Sequence, residues 1–324
     1  MFRQDNSETN QRNAGHAEPA PKRFSAQFMK THPFRSALYR PAFAALAAAA
    51  LLSSASADEN LFGYTYGAET LPKGKWEVYS WTTARIDRGE GEYLALDLKQ
   101  EIEYGVTDRF QVSFYFNERY HDYSGGAIKD DGVAKNLNRF SYSGNQLALK
   151  YSVLSPYKDA LGLAFYVEPG YSLVSGGSGS DVLEWELETK VILQKNFLED
   201  QLITSLNVTT EFEWKQPRPS GGEPYEGEFV FEASGGVSYR VARNWYVGVE
   251  ARYKTAFPDM NISNQESWAF SAGPAVHYGG ERWWATLTWL PQIVGDAPGS
   301  TRSGRLDLEH NERNEIRLKV GYNF

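Results

Sequence analysis

Glu101 and Glu103 stand two residues apart, as do Glu211 and Glu213. On an extended strand that spacing puts both carboxylates of a pair on one face, about 7 Å apart by strand rise. Such a pair suits acid/base work or the holding of a cation. Lysines lie nearby at Lys99 and Lys215, so the same acids read more simply as the lining of a hydrated space. The segment Lys129-Asp130-Asp131-Gly132 is also acidic but lacks further oxygen ligands at ordered spacing, so it predicts no calcium or magnesium site. Gly176, Gly177 and Gly179 with Ser178 and Ser180 make a flexible loop. No phosphate-binding glycine loop opens a helix, and no cofactor is expected.

The elements that must carry these residues alternate with a period of two. In the last ten residues Ile316, Leu318, Val320, Tyr322 and Phe324 share one parity, while Glu315, Arg317, Lys319, Gly321 and Asn323 share the other. That pattern is a strand with one apolar and one wet face. Twelve such candidates follow one another at about 75–86, 92–104, 110–121, 140–154, 161–173, 182–196, 202–215, 226–241, 245–257, 267–279, 283–292 and 310–324. Most exceed the ~9 to 11 residues that a tilted strand needs to cross the apolar layer of a membrane. Soluble sandwich strands average only about five or six.

Connection lengths alternate as well. After the even-numbered candidates come tight turns such as Gly105-Val106-Thr107-Asp108-Arg109 and Ala242-Arg243-Asn244. After most odd-numbered ones come longer stretches rich in Gly, Pro, Asp and Ser, such as His121 to Arg139 and Val294 to Glu309. Short turns at one end and long loops at the other are the pattern of outer-membrane barrels.

Composition excludes competing classes. The 324 residues include 29 Gly and no Cys and are 15% aromatic. Mean hydropathy is -0.52. The only continuous apolar run, Ala42 to Leu52, is too short for the roughly 20 residues of a membrane-spanning helix. It fits a secretory signal, with Lys30, Arg35 and Arg40 ahead of it and Ala55-Ser56-Ala57 as the cleavage motif before Asp58. The expected organisation is therefore an extension or misassigned start at 1–28, a signal peptide at 29–57, a periplasmic lead-in at 58–74 and the barrel at 75–324. The formal charge is -8, and a chain this acidic does not seek nucleic acid.

A charge at the bilayer midplane costs about 2 to 4 kcal/mol for Lys or Arg, so the charged parity must face the lumen. The expected lining on the first five candidates is Glu77, Asp97, Lys99, Glu101, Glu103, Arg119, Lys150 and Glu168. Candidates six to eight add Glu184, Glu186, Glu188, Lys190, Glu211, Glu213, Glu232 and Arg240, and the rest add Glu250, Arg252, Glu315, Arg317 and Lys319. Trp76, Tyr104, Phe110, Trp214, Trp245, Tyr278, Trp283 and Phe324 lie near strand ends, where aromatic rings suit the membrane interface.

The C-terminal strand ending in Phe324 resembles the terminal targeting strand of Gram-negative outer-membrane β-barrels. The stretch Leu61-Phe62-Gly63-Tyr64-Thr65-Tyr66-Gly67, with Glu69 to Lys75 and Trp76-Glu77-Val78, resembles the start of an uncharacterised family of outer-membrane barrels, similar to barrels encoded near aromatic-degradation pathways. The resemblance implies an all-β, antiparallel up-and-down barrel of about twelve strands. It also implies outer-membrane lipids and the barrel-assembly machinery as partners, and it brings no catalytic residue.

Twelve-stranded outer-membrane phospholipases carry a His followed two residues later by the nucleophilic Ser. Here His121, His277 and His310 are followed at that distance by Tyr123, Gly279 and Glu312. Of the three, His277 is the one expected to point inward on a strand. The leading expectation is a non-enzymatic, narrow channel for small solutes or ions, or for hydrophobic compounds if the similar barrels are a guide. A structural or surface-interaction barrel sealed by ion pairs comes second, and a lipid hydrolase third.

Overall fold

A computed structural model describes residues 60–128, 134–218, 222–298 and 304–324. The expected extension, the signal peptide with its Ala57/Asp58 cleavage point and the 129–132 segment lie outside these residues.

The described strands are β1 (Trp76–Ile86), β2 (Glu92–Thr107), β3 (Phe110–Ser124), β4 (Leu137–Leu154), β5 (Gly162–Val174) and β6 (Asp181–Phe197). They continue as β7 (Leu202–Pro217), β8 (Glu226–Ala242), β9 (Trp245–Pro258), β10 (Ser267–Gly279), β11 (Trp283–Asp296) and β12 (Asn314–Asn323). Each pairs antiparallel with its sequence neighbours, and β1 closes on β12 to make a barrel with no free edge. Closure gives every strand a hydrogen-bonded neighbour on both sides, as an apolar layer without water requires.

Alternation sets which way each side chain points. On β2, Leu94, Leu96, Leu98 and Ile102 face outward, whereas Tyr93, Ala95, Asp97, Lys99, Glu101 and Glu103 face the interior. Outward Ile102, Phe114, Leu147, Trp185, Leu206, Val249 and Leu287 remain exposed on the isolated chain. The barrel presents a continuous apolar belt of the kind that lipid covers.

Several strands run further than their alternation suggests, most of them toward the long loops, although β2 extends to Thr107 at a short turn. β3 reaches Ser124, β4 begins at Leu137 and β11 reaches Asp296. Backbone pairing continues past the apolar belt because the neighbouring strand is present, whatever the side chains are. β12 is shorter than expected at its start: the Asp307 carboxylate accepts the N–H of Glu309 and of His310, which turns that stretch into a loop.

A bulge in β4 changes the inward parity of that strand. Pairing between β3 and β4 shifts at Asn117/Glu118, beside Gly144 with φ 144°. A Cβ there would lie 2.0 Å from the Tyr171 carbonyl oxygen, so this position accepts only glycine. Below the bulge Gln146, Ala148 and Lys150 are buried inside, and above it Ser143 takes that place.

Candidate functional site

The chain ahead of β1 runs inside the barrel. Residues 60–71 form a strap across the lumen, in the half nearest the short turns, and the wall holds its backbone with side chains. The Gln111 side chain accepts the N–H of Leu71 (2.7 Å), and Gln194 accepts that of Ala68 (2.7 Å). Asn207 treats Tyr66 as a neighbouring strand would, accepting its N–H (2.6 Å) and donating to its carbonyl (3.0 Å). Glu250 accepts three successive amides, from Gly63 (3.0 Å), Tyr64 (2.8 Å) and Thr65 (2.5 Å). Three adjacent N–H groups make an anion-binding concavity, filled here by the protein's own carboxylate.

Small wall residues make room for the strap. Phe62 lies against Gly236, where a Cβ would be 2.4 Å from the ring, and packs with Leu61, Ile203, Tyr246 and Ala275. Toward β1 the strap meets inward aromatics: Tyr79, Trp81, Tyr115, Tyr166 and Trp284 cluster with Ala68, Ala148, Ala164 and Ile192, and Tyr66 packs on them. Trp284 covers Gly321 of β12 and donates its indole N–H to Glu77. Lys319 lies 4.1 Å from the Trp81 ring centre and the Arg317 guanidinium 3.8 Å from that of Tyr64, both within the range of cation–π attraction. This aromatic layer escaped sequence reading, which followed charges. The signal was present, because Tyr79 and Trp81 share the parity of Glu77.

Strap and wall meet at Glu69 too. Burial raises its carboxyl above the ordinary value of 4.5, against the opposing pull of hydrogen bonds from Gln194 and Tyr157.

Every expected lining residue lies on the interior parity of its strand, but they divide by height. Glu77, Glu101, Glu103, Lys150, Glu250 and Lys319 are buried with the strap and the aromatic layer. There Glu103 accepts from Tyr79 (2.9 Å) and Ser113 (3.0 Å). Arg240 is partly exposed near the short-turn end of β8. Asp97, Lys99, Arg119, Glu168, Glu186, Glu188, Lys190, Glu211, Glu232, Arg252 and Arg317 line a cavity of about 230 Å³ above the strap, whose floor is Tyr64, Tyr66 and Trp81. Glu315 borders it through its ion pair with Arg252. Glu184 and Glu213 continue the β6–β7 acids toward the long loops.

Two loops fold over the β1–β4 side of the mouth. Gly176 of the β5–β6 loop accepts from Arg85 and bonds His121 (3.0 Å), and the Gly177 and Ser178 carbonyls accept from Tyr93 and Tyr123 (both 2.9 Å). Arg85 also pairs with Asp97 (2.9 Å) and with Glu312 of the β11–β12 loop (2.9 Å). Arg85 was not among the expected lining residues, since it stands at the end of an otherwise uncharged run. His121 points inward as well as His277, because β3 extends past it. His277 bonds Thr286 (2.8 Å), and His310 lies 3.5 Å from Asp307 in the β11–β12 loop.

The aromatics expected at the interface face outward. Trp76 packs on Tyr104 (ring centres 4.4 Å apart), Trp245 on Tyr278 (5.1 Å) and Trp283 on Tyr322 (4.7 Å), which also meets Phe324 (4.8 Å). With Phe110, half-buried at the start of β3, they gird the short-turn end. Trp214 belongs to the other end, stacked with Phe212.

The closed antiparallel barrel, apolar outside and charged within, defines the outer-membrane β-barrel class. Residues 54–324 match a family of unknown function (DUF6662), and the chain belongs to that family. Among solved structures it is similar to an outer membrane channel from Pseudomonas putida F1, with 12% identity over 79% of this chain and 98% of that one and a TM-score of 0.52. Similarity extends to the NanC porin (11% identity, 76% and 98% covered, TM-score 0.45). The translocator domain of the autotransporter NalP from Neisseria meningitidis is a further match (10% identity, 89% and 95% covered, TM-score 0.47). At such identities the likeness is one of fold. No curated protein matches the sequence.

Proposed function

We propose that this barrel is an outer-membrane channel for small charged solutes, held closed by its N-terminal strap and opened when the strap leaves the lumen. The observation that carries the reading is the strap's attachment. It crosses the lumen on hydrogen bonds that its backbone donates to Gln111, Gln194, Asn207 and Glu250, under a charged cavity. Side-chain hydrogen bonds contribute only about 0.5 to 3 kcal/mol each in net terms, so such a segment can detach while the strand pairing of the wall persists. The charged lining favours polar over hydrophobic solutes.

On this reading the short-turn end and both ends of the mature chain face the periplasm, a signal is removed near Ala57/Asp58, and the strand ending in Phe324 is read by the assembly machinery. Lipids contact the outward aromatics. The reading is tested by planar-bilayer conductance of refolded mature chain beside a version lacking residues 60–71. Larger or more frequent openings on deletion support it, and silence from both sinks it. A second reading, a sealed structural barrel, is favoured by the buried aromatic layer around Trp81 and Trp284, and silence from both proteins is its expected result.

A further inference from the structure

We propose that two copies of this chain pair in the membrane through the outer wall of β1–β3, about a two-fold axis that passes close to Gln100. Gln100 shares the parity of Leu98 and Ile102, so it faces outward, and it is exposed. It stands four residues from Tyr104, whose ring packs on Trp76 in the girdle at the short-turn end. At about 3.3 Å per residue and a tilt of about 40°, that is roughly 10 Å above the girdle. A carboxamide therefore sits near the middle of an apolar band about 25 Å tall.

Hydrocarbon offers this group no partner, and its own wall offers one. The Gln100 amide nitrogen donates to the Ser80 hydroxyl (3.1 Å). Its second N–H and its carbonyl oxygen have no partner among the described residues, and neither does the hydroxyl of Thr82, which faces outward two residues along β1. Other outward polar groups are closed within the wall. The Asn145 amide accepts from Tyr171 (2.9 Å) and donates to the Tyr115 carbonyl (3.0 Å), while Thr189 and Thr210 bond each other (2.8 Å). Side chains that hydrogen-bond across chains hold membrane segments together, and Gln100 keeps that capacity.

Symmetry selects the partner. Copies of one chain enter a membrane in one orientation, so a two-fold axis between them runs along the membrane normal. Each residue near it meets its own counterpart at the same depth. A carboxamide matches itself, because each amide donates one N–H and accepts one from its twin. A lipid tail does neither.

A second observation is independent of Gln100. β12 and β1, of 10 and 11 residues, are the shortest of the described strands, and they pair with each other where the barrel closes. Gln100 stands opposite Ser80, which in turn stands opposite Val320 of β12. A copy seated here covers the wall where the strands are shortest, packing on Val78, Ile102, Phe114 and Val320, all exposed on the isolated chain. Across the barrel, the outward residues Val237, Val247 and Val249 of β8 and β9 are apolar and suit lipid.

The native chain has no cysteine, so a single introduced thiol reports contact between copies. Full chain carrying Leu98→Cys or Val249→Cys is expressed in a Gram-negative host, and its outer membranes are oxidised. The disulfide-linked dimer should form at least about fivefold more with Leu98→Cys than with Val249→Cys, which counts random collisions. Adding Gln100→Leu to Leu98→Cys should lower the dimer about fivefold, the scale of side-chain hydrogen bonds within membranes. Gln100→Met, closer in shape, repeats the measurement, and heat-modifiable gel mobility reports that each variant closes its barrel. The proposal is overturned if Leu98→Cys links no more than Val249→Cys, in which case lipid covers this wall, or if both Gln100 variants leave the yield unchanged. Neither result depends on whether the lumen conducts.

Discussion

The Glu250 carboxylate on β9 accepts the backbone N–H of Tyr64 at 2.8 Å, joining residues 186 positions apart in the chain. With the Gly63 and Thr65 amides on the same group, this contact fixes the middle of the strap.

Glu250→Ala removes all three acceptor contacts and leaves buried amides unsatisfied. Hydrogen bonds to charged groups contribute about 1.5 to 3 kcal/mol each and do not add fully, so docking should weaken by about 3 kcal/mol or more. The native chain has no cysteine, so a single Cys placed at Tyr64 reports docking. Its labelling should be slow beside Glu250 and fast in the Ala variant. Equal rates would show that Glu250 does not hold the strap.

Acidification should tighten the strap through Glu69. Burial lifts its folded-state pKa above the unfolded value near 4.5, so the folded state holds the proton more strongly. Stability is therefore lost as pH rises from the unfolded value through the folded one and regained as pH falls. Labelling of the Tyr64→Cys reporter should accelerate with pH after correction for thiol ionisation. Glu69→Gln should remove that part of the dependence.

Two glycines should separate strap from wall. A Cβ on Gly236 would come 2.4 Å from the Phe62 ring, and one on Gly321 would come 2.2 Å from Trp284. Overpacking costs about 1 to 3 kcal/mol, but different contacts give way. Gly236→Ala should speed strap labelling and leave barrel melting nearly unchanged, because Phe62 belongs to the strap. Gly321→Ala should lower the melting temperature, because Trp284 is part of the wall and is tied to Glu77.

Arg85→Ala should loosen both loops over the mouth. The guanidinium joins Asp97 to Glu312 and to the Gly176 carbonyl, and its loss leaves Asp97 paired with Arg119 alone among the described residues. Removing one partner of a buried pair costs about 3 to 5 kcal/mol, an upper bound here because Asp97 keeps Arg119. Limited proteolysis should cut within 175–180 faster in the variant. An unchanged pattern would mean that Tyr93 and Tyr123 suffice.

In the β11–β12 loop, His310 is raised above its ordinary 6.5, chiefly by the Asp307 carboxylate 3.5 Å from its ring nitrogen. Burial opposes the ionisation of Asp307, but hydrogen bonds from His310 and Asn311 outweigh it and hold its pKa below 3.8. The His310 contribution is complete below 6.5 and is lost as pH rises through the raised value. That of Asp307 is complete above 3.8 and is lost as pH falls through the depressed one. An NMR titration should place the His310 midpoint above 6.5, and Asp307→Asn should lower it.

Alternation alone determined the barrel. The parity of Leu94, Leu96 and Leu98 against Asp97 and Lys99 is a local property, and a membrane's intolerance of charge converts it directly into outside and inside. Strand order followed because hairpin neighbours pair, and strand limits were legible to within a few residues. The pairs Glu101/Glu103 and Glu211/Glu213 show where that reading ends. Their spacing is the same and both point inward, yet the first is buried beside the aromatic layer, whereas Glu211 faces the cavity. What separates them is the strap, whose backbone is held by Gln111, Gln194, Asn207 and Glu250, residues scattered over four strands. No periodicity marks a side chain that will accept a backbone amide from far along the chain. Only closure of the barrel brings those four onto one path, so the plugged lumen belongs to the tertiary structure.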